Sequence, residues 1–297
     1  MSEDLKRDYV VSEEIGRGRF GTVFRCTSLD SGDSYAVKSI DKAAVTAGGD
    51  SLDAQCILTE PKVVRLLAPH PHIVNLHALY EDETHLHMVF DLCYETEFHR
   101  RRLMPEPDAA SVMWQLMQAV AHCHRLGVAH RDVKPDNILF DEGNRLKLAD
   151  LGSAEIFGDG EPMSGVVGTP HYVAPEVLAG REYSEKVDVW SAGVVLYELL
   201  AGFPPFRGDS PVEIFEAVIR GSLRFPTRVF CSVSAAAKDL IRRMLCRDVS
   251  RRFSAEQVLS ENSGTLGLAL LTRICEQSDF DFDFSVYTSP NDCRRQR

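Results

Sequence analysis

The chain has 297 residues, 44% of them hydrophobic and 26% charged, and carries a formal net charge of −11. That length suits one large or two small folded domains, and the composition argues against a coiled coil or a wholly disordered chain. The acidic balance argues against a nucleic-acid binder working by bulk charge and favours a positively charged partner surface.

The first ten residues, MSEDLKRDYV, place charges before any apolar run, so no secretory or transit segment is read there, and a cytoplasmic location is expected. Residues 9–40 alternate as strands, with a turn at Asp30-Ser31-Gly32-Asp33, and predict an antiparallel meander. Ile57, Val63, Val64 and Leu67 then recur at helical spacing and predict a helix over 54–67, followed by short strands over 73–79 and 85–90. From Asp108 the pattern turns helical: Val112, Leu116, Ala119, Val120 and Cys123 share one face of a helix over 109–126. Further helices are predicted over 187–200 and 234–245. The longest mostly apolar run, Trp190 to Phe203, contains Glu198 and two glycines. It falls short of the roughly 20 residues that span a bilayer and reads as a buried helix. Residues 260–297 read as a tail in which Phe280, Phe282 and Phe284 alternate with acids; a disordered tail is favoured over an added edge strand. The eight cysteines form no Cys-x-x-Cys pair, so neither a zinc ribbon nor a thioredoxin-type centre is expected.

Gly16, Gly18 and Gly21 stand where backbone amides can approach phosphate oxygens without a Cβ between. A strand follows instead of a helix, which favours a flap over a nucleotide rather than a dinucleotide fingerprint. A glycine-rich hairpin without ligand remains the plain alternative for this segment taken alone. Lys38 lies in an apolar strand, where an ammonium needs an anion nearby: nucleotide phosphates are one candidate and Glu60 the other, with an unpaired surface lysine as the bland reading. His130-Arg131-Asp132-Val133-Lys134-Pro135-Asp136-Asn137 crowds a carboxylate, an ammonium and an amide onto what must be a loop because of Pro135. Asp132 is suited to accept a hydroxyl proton, Lys134 to neutralise a transferring phosphoryl group, and Asn137 to offer an oxygen to Mg²⁺. Asp150, at the end of the strand LKLAD, supplies a second hard oxygen.

With these segments in this order the chain resembles a eukaryotic protein kinase from about Tyr9 to Leu259. The resemblance implies an α+β, bilobal protein kinase fold, with a small β-rich N-lobe (9–90) holding one main helix, a hinge (91–95) and a larger helical C-lobe (96–259). It implies ATP and Mg²⁺ as cofactors and an adenine pocket of Ile15, Val23 and Ala36 above the ring and Leu139 below. Phe90 is the gatekeeper there and Asp91 to Cys93 the hinge. It implies a stack of Val64, Leu76, His130 and Leu151 between the lobes, and an ion pair of Arg252 with Glu176. Lys134 and Gly168-Thr169-Pro170 resemble the serine/threonine branch, with Thr169 placed to hydrogen-bond Asp132. Glu97, Asp136 and Glu198 stand where basophilic kinases hold substrate arginines, solvated surface charge being the alternative for Glu97.

EEIGRGRFGTV, VVGTPHYVAPEVL and AKDLIRRMLCRDVSRRFSAEQVL narrow the likeness to the plant phosphoenolpyruvate carboxylase kinase family, similar to the catalytic domain of calcium-dependent plant kinases. No Asp-x-Asp-x-Asp-Gly loop is present, so direct calcium control is not expected. The expectation is a monomeric Ser/Thr kinase acting on phosphoenolpyruvate carboxylase, without nucleic-acid or membrane partners. Another basic protein as substrate, or a nucleotide-binding scaffold, stay as alternatives. Departures from the family are Leu151 for phenylalanine, a shortened 91–105 stretch and the unrelated tail. The activation segment offers Glu155, Asp159 and Glu161 as carboxylates for Arg131 in place of a phosphate on Ser164, which implies constitutive activity.

Overall fold

The computed structural model describes residues 1–18, 21–43, 51–95, 103–158 and 162–260, with side chains from residue 59 onward in the helix that starts at Ser51. Glu97, Asp159, Glu161 and the tail beyond Ser260 lie outside the described residues.

The alternating segment folds as expected into an antiparallel sheet. Strands β1 (Tyr9–Arg17), β2 (Gly21–Ser28), β3 (Ser34–Asp41), β4 (Leu76–Glu81) and β5 (His85–Asp91) lie in the order β1-β2-β3-β5-β4. Gly21 has no substitute at the start of β2, because a Cβ there would fall 2.3 Å from the Ser39 carbonyl oxygen. One face of the sheet receives helix α2 (Ser51–Leu67), whose Val63, Val64 and Leu67 join the main core. The strand predicted over 73–79 begins later, at Leu76. Ile73 instead bridges in parallel to Leu148, and Val74 N–H donates to the Leu148 carbonyl at 3.1 Å, so this stretch stitches the β-lobe to the helical lobe.

The opposite face of the sheet carries an element that periodicity missed. Helix α1 (Glu3–Asp8) is capped by Ser2, whose Oγ accepts from Leu5 N–H at 3.3 Å. Leu5, wholly buried, completes a small second core with Cys26, Val37 and Val89.

The helical lobe is built around α3 (Glu106–Arg125) and α5 (Lys186–Ala201). Every residue of α5 from Val187 to Ala201 is buried, so it is a core axis and not an amphipathic surface helix. Short strands β6 (Val128–Ala129), β7 (Ile138–Phe140), β8 (Leu146–Leu148) and β9 (Glu155–Ile156) form two small ribbons beside the cleft. Asp141-Glu142-Gly143-Asn144 makes the turn between β7 and β8. The remaining helices are α4 (Pro175–Leu178), α6 (Pro211–Arg220), α7 (Thr227–Phe230), α8 (Ala235–Met244) and α9 (Ala255–Leu259). Arg252 meets Glu176 through two parallel bonds of 2.6 and 2.9 Å, its side chain fully buried, which is the expected sealed ion pair. Among the described residues no helix is long and apolar enough to cross a membrane.

Candidate active site

β3 and α2 bring the first group together. Lys38 Nζ donates to both Glu60 oxygens at 2.8 and 2.9 Å and to Asp150 Oδ1 at 2.8 Å. Of the alternatives open for Lys38, the carboxylate partner is therefore realised and the free surface lysine is not. Burial alone would pull Lys38 below its ordinary value, but the two carboxylates outweigh it and hold the ammonium well above. Asp150 is a mirror of this: burial would raise its carboxyl, and Lys38 keeps it low. Asp150 sits at φ 57°, the left-handed region, just ahead of the 3₁₀ turn Leu151–Ser153. A non-glycine residue held there is a backbone cost met at a functional site.

The second group hangs from a buried acid in α5. Asp188, wholly shielded, accepts from the backbone N–H of His130 and of Arg131 at 2.8 Å each and faces His124 Nε2 at 2.8 Å. Burial would raise Asp188, yet the His124 contact and the amides hold it low and ionised. This anchor fixes the loop in which Arg131 takes φ 66° and from which Asp132 projects. Asp132 Oδ2 accepts from Lys134 Nζ at 2.7 Å and Oδ1 from Thr169 Oγ1 at 3.0 Å, while Lys134 also donates to Thr169 Oγ1 at 3.0 Å. Thr169 thus makes the predicted contact. Gly168 before it, at φ 110°, leaves space that a Cβ would take within 2.9 Å of the Arg131 carbonyl.

Asn137 lies between the groups. Its Nδ2 donates to the Asp132 carbonyl at 2.8 Å, which turns its amide oxygen away from that contact, and its own carbonyl accepts from Ala149 N–H at 2.9 Å, next to Asp150. The donor set of one amide oxygen and one exposed carboxylate, Asp150 being half-exposed, fits a hard divalent cation that keeps waters and phosphate oxygens as further ligands. Among the described residues no group of three or more His, Cys, Asp or Glu gathers into a site that could hold a metal by itself.

Ala36 and Phe90 are paired in register across β3 and β5 at the cleft, each 9% exposed. Val23, Leu139 and Cys93 are half-buried, and Ile15 on β1 is 41% exposed. Burial pushes the Cys93 thiol up to about 12, so it packs as an apolar group and not as a nucleophile. Of the residues of the predicted stack, Val64 and Leu151 belong to the main core, Leu76 packs against it and His130 is buried.

Asp91 does more than continue the backbone. Its carboxylate accepts from Lys147 Nζ on β8 at 2.9 Å and from Asn75 Nδ2 at 2.9 Å, and meets His77 Nε2 at 2.7 Å. Arg131 donates through Nε to the Ser153 carbonyl at 2.7 Å and through Nη1 to Glu155 and to Tyr183 Oη. Of the three acids expected near it, Glu155 is placed on Arg131, and the other two lie outside the described residues.

Two substrate residues diverge. Asp136 is exposed, as a contact for a basic peptide must be. Glu198 is not presented in that way: it is 3% exposed in α5 and accepts from Tyr172 Oη at 2.6 Å. The segment is the buried helix that its sequence predicts, so Glu198 meets Tyr172 inside it and does not stand open as the expected substrate carboxylate. Sequence reasoning also missed Asp188 and Tyr183 as parts of the site. An acid within the otherwise apolar run that starts at Val187 was the available signal for the first; Tyr183 had none.

Comparison with known proteins agrees with this geometry. Residues 9–262 match the family described as "Protein kinase domain". The chain is 43% identical over 256 residues to "Serine/threonine-protein kinase PEPKR2" of Arabidopsis thaliana, covering 85% of this chain and 52% of that protein. It is 40% identical over 264 residues to "Calcium-dependent protein kinase 33" of the same plant, covering 86% and 50%. To "Calcium-dependent protein kinase 8" of Oryza sativa subsp. japonica it is 41% identical over 263 residues, covering 86% and 48%. The chain spans about half the length of the curated relatives it matches.

Proposed function

Because the chain belongs to the protein kinase domain family, whose members use ATP and Mg²⁺, we propose that it is an active serine/threonine kinase whose substrate is a serine near the N-terminus of phosphoenolpyruvate carboxylase. The observation that carries the catalytic part is the meeting of Lys38, Glu60 and Asp150 across a cleft from Asp132, Lys134 and Thr169, with Asn137 backbone-bonded to the neighbour of Asp150. Lys38 is held charged and aimed where nucleotide phosphates sit. Asp132, oriented by Lys134 and Thr169, receives the hydroxyl proton of the acceptor. Lys134 stands beside Asp132 to offset charge on the transferring group, and Asn137 and Asp150 are the residues that would hold Mg²⁺. That ion, when bound, supplies charge neutralisation on the phosphates.

The substrate assignment rests on the motif likeness to the plant phosphoenolpyruvate carboxylase kinase family, with the exposed Asp136 and the −11 charge favouring a basic recognition sequence. Calcium independence is part of the proposed reading, and the chelator in the assay below tests it. Cytoplasmic, monomeric action completes the reading. With the Arg131 guanidinium engaged by Glu155, activity is independent of a phosphate on Ser164.

The test is incubation of dephosphorylated protein with labelled ATP, a calcium chelator and purified phosphoenolpyruvate carboxylase. A variant of that substrate with its N-terminal acceptor serine changed to alanine runs beside it. Label in the first and not the second supports the full reading. Equal label in both, or label only in other basic proteins, keeps the kinase and overturns the substrate. No transfer to any protein, with ATP bound, overturns the activity.

A further inference from the structure

On the back of the β-lobe, away from the cleft, a single imidazole nitrogen is placed between two groups that make opposite demands. His87 on β5 is fully buried and pairs in register with Ser39 on β3. Its Nδ1 meets Ser39 Oγ. Its Nε2 lies 3.2 Å from the backbone N–H of Ser2, at the start of α1, and also 3.2 Å from Asp82 Oδ2 in the turn between β4 and β5. An amide N–H only donates and a carboxylate only accepts. Nε2 must therefore carry a lone pair to hold Ser2, or a proton to hold Asp82, and it cannot serve both.

The surrounding bonds say which choice goes with a docked α1. With the proton on Nδ1, His87 donates to Ser39 Oγ, the Ser39 hydroxyl donates to Met1 Sδ at 3.8 Å, and Nε2 accepts from Ser2. All three groups are satisfied. With both ring nitrogens protonated, Nε2–H turns to Asp82 and Ser2 N–H is left buried without an acceptor, which a folded chain avoids. Asp82 does not depend on His87, because its Oδ1 already accepts from the Thr84 and His85 amides at 2.8 and 2.7 Å.

We propose that His87 is a protonation-operated clasp for α1: the neutral ring holds Ser2, and with it Leu5 in the second core, whereas the protonated ring binds Asp82 and lets α1 go. The clasp lies on a strand that serves the cleft as well, since Ser39 is the neighbour of Lys38 on β3. The proposal does not depend on the identity of the kinase substrate.

The charged groups around His87 are Asp82, the parallel ring of His85 at 5.7 Å on the same strand, and the Met1 α-amino group on the docked segment. Burial comes first and pushes His87 below the ordinary imidazole value of about 6.5; the Met1 amine and His85 act in the same direction, and Asp82 opposes them. A ring whose folded value is lowered favours the docked state fully above about pH 6.5, and that advantage shrinks as the pH falls below it.

The test is amide hydrogen exchange of residues 3–11 in the full-length chain between pH 7.5 and 4.5, corrected for intrinsic exchange rates. Wild type should lose at least about tenfold in protection, with a midpoint below pH 6.5. His87→Gln offers Ser2 a permanent acceptor and should show no midpoint. Asp82→Asn removes the charge that rewards protonation and should move the midpoint down by about one unit. Ser2→Pro keeps the backbone angle, −62° against the proline value of about −65°, but deletes the N–H, and should leave α1 unprotected at every pH. Ser2→Ala loses only the cap and should keep the wild-type midpoint. Unchanged wild-type protection across the range, or a wild-type midpoint in His87→Gln, overturns the clasp. Where His87→Gln does not fold, an unshifted midpoint in Asp82→Asn does the same.

Discussion

Two ion pairs in this molecule use the same chemistry to different ends. Arg252 and Glu176 meet in the helical lobe with both side chains sealed, the arginine at 0% and the glutamate at 7% exposure, and the guanidinium is further occupied by the Cys246 and Lys186 carbonyls. Lys38 meets Glu60 and Asp150 at the cleft, where Asp150 is 50% exposed. The sealed pair has no partner left to exchange, so it can only hold the fold. The open one keeps a cation ready for an anion that arrives. The difference lies in which side of the pair faces water, and not in residue type.

The comparison is broken most sharply at the chemistry beside the open pair. Asp132→Asn should lower kcat by about 10²–10⁴ while leaving ATP affinity within about twofold and the unfolding midpoint near wild type. Phosphoryl transfer, nucleotide titration and denaturation together check this, and unchanged turnover refutes the role. Next in size, Arg252→Met strands Glu176 and should cost about 3–5 kcal/mol in chemical denaturation. ATP affinity of the fraction that remains folded should change little. Lys38→Met should act on both counts: kcat/KM for ATP falls on the order of 10²-fold, and stability falls as well because Glu60, only 4% exposed, loses its partner, while the half-exposed Asp150 can be rehydrated.

The acid limb sharpens the contrast. Asp150 has a lowered carboxyl value. Its contribution is therefore fully present above the ordinary carboxylate value near 4 and lost as the pH falls through the lower folded value. From pH 8 to 5 Asp150 should contribute no slope to stability, and Asp150→Asn should shallow the decline below pH 4 when unfolding is followed against pH. The smallest expected effect is at Ser164, where alanine should leave activity within about twofold. Glu155→Gln should reduce the activity of unphosphorylated protein several-fold, by loosening Arg131.

Much of this was legible in the chain, for physical reasons that differ by residue. Lys38, Asp132, Asn137 and Asp150 each stand in a local pattern, an apolar strand, a proline-bearing loop or a strand end, that constrains the backbone around them. The sheet was legible because β1 to β3 alternate and are joined by short turns. Helix α1 was not, because Glu3, Asp4, Lys6, Arg7 and Asp8 surround a single apolar residue, Leu5, and one plug has no period. The role of Glu198 was less legible: Val187 to Ala201 is buried throughout, so no apolar stripe tells which way a lone acid points. The contacts of Asp91 with Lys147 and of Arg131 with Tyr183 join residues 56 and 52 positions apart, and no local pattern encodes them.

Asp91 has one mechanical consequence. A single carboxylate grips Lys147 from the lower lobe and Asn75 and His77 from the upper, at the point where the chain passes between them. Sliding one lobe along the other breaks these bonds together, whereas swinging about that spot keeps them. The joint is pinned at that spot, which favours a jaw-like opening of the cleft over shear.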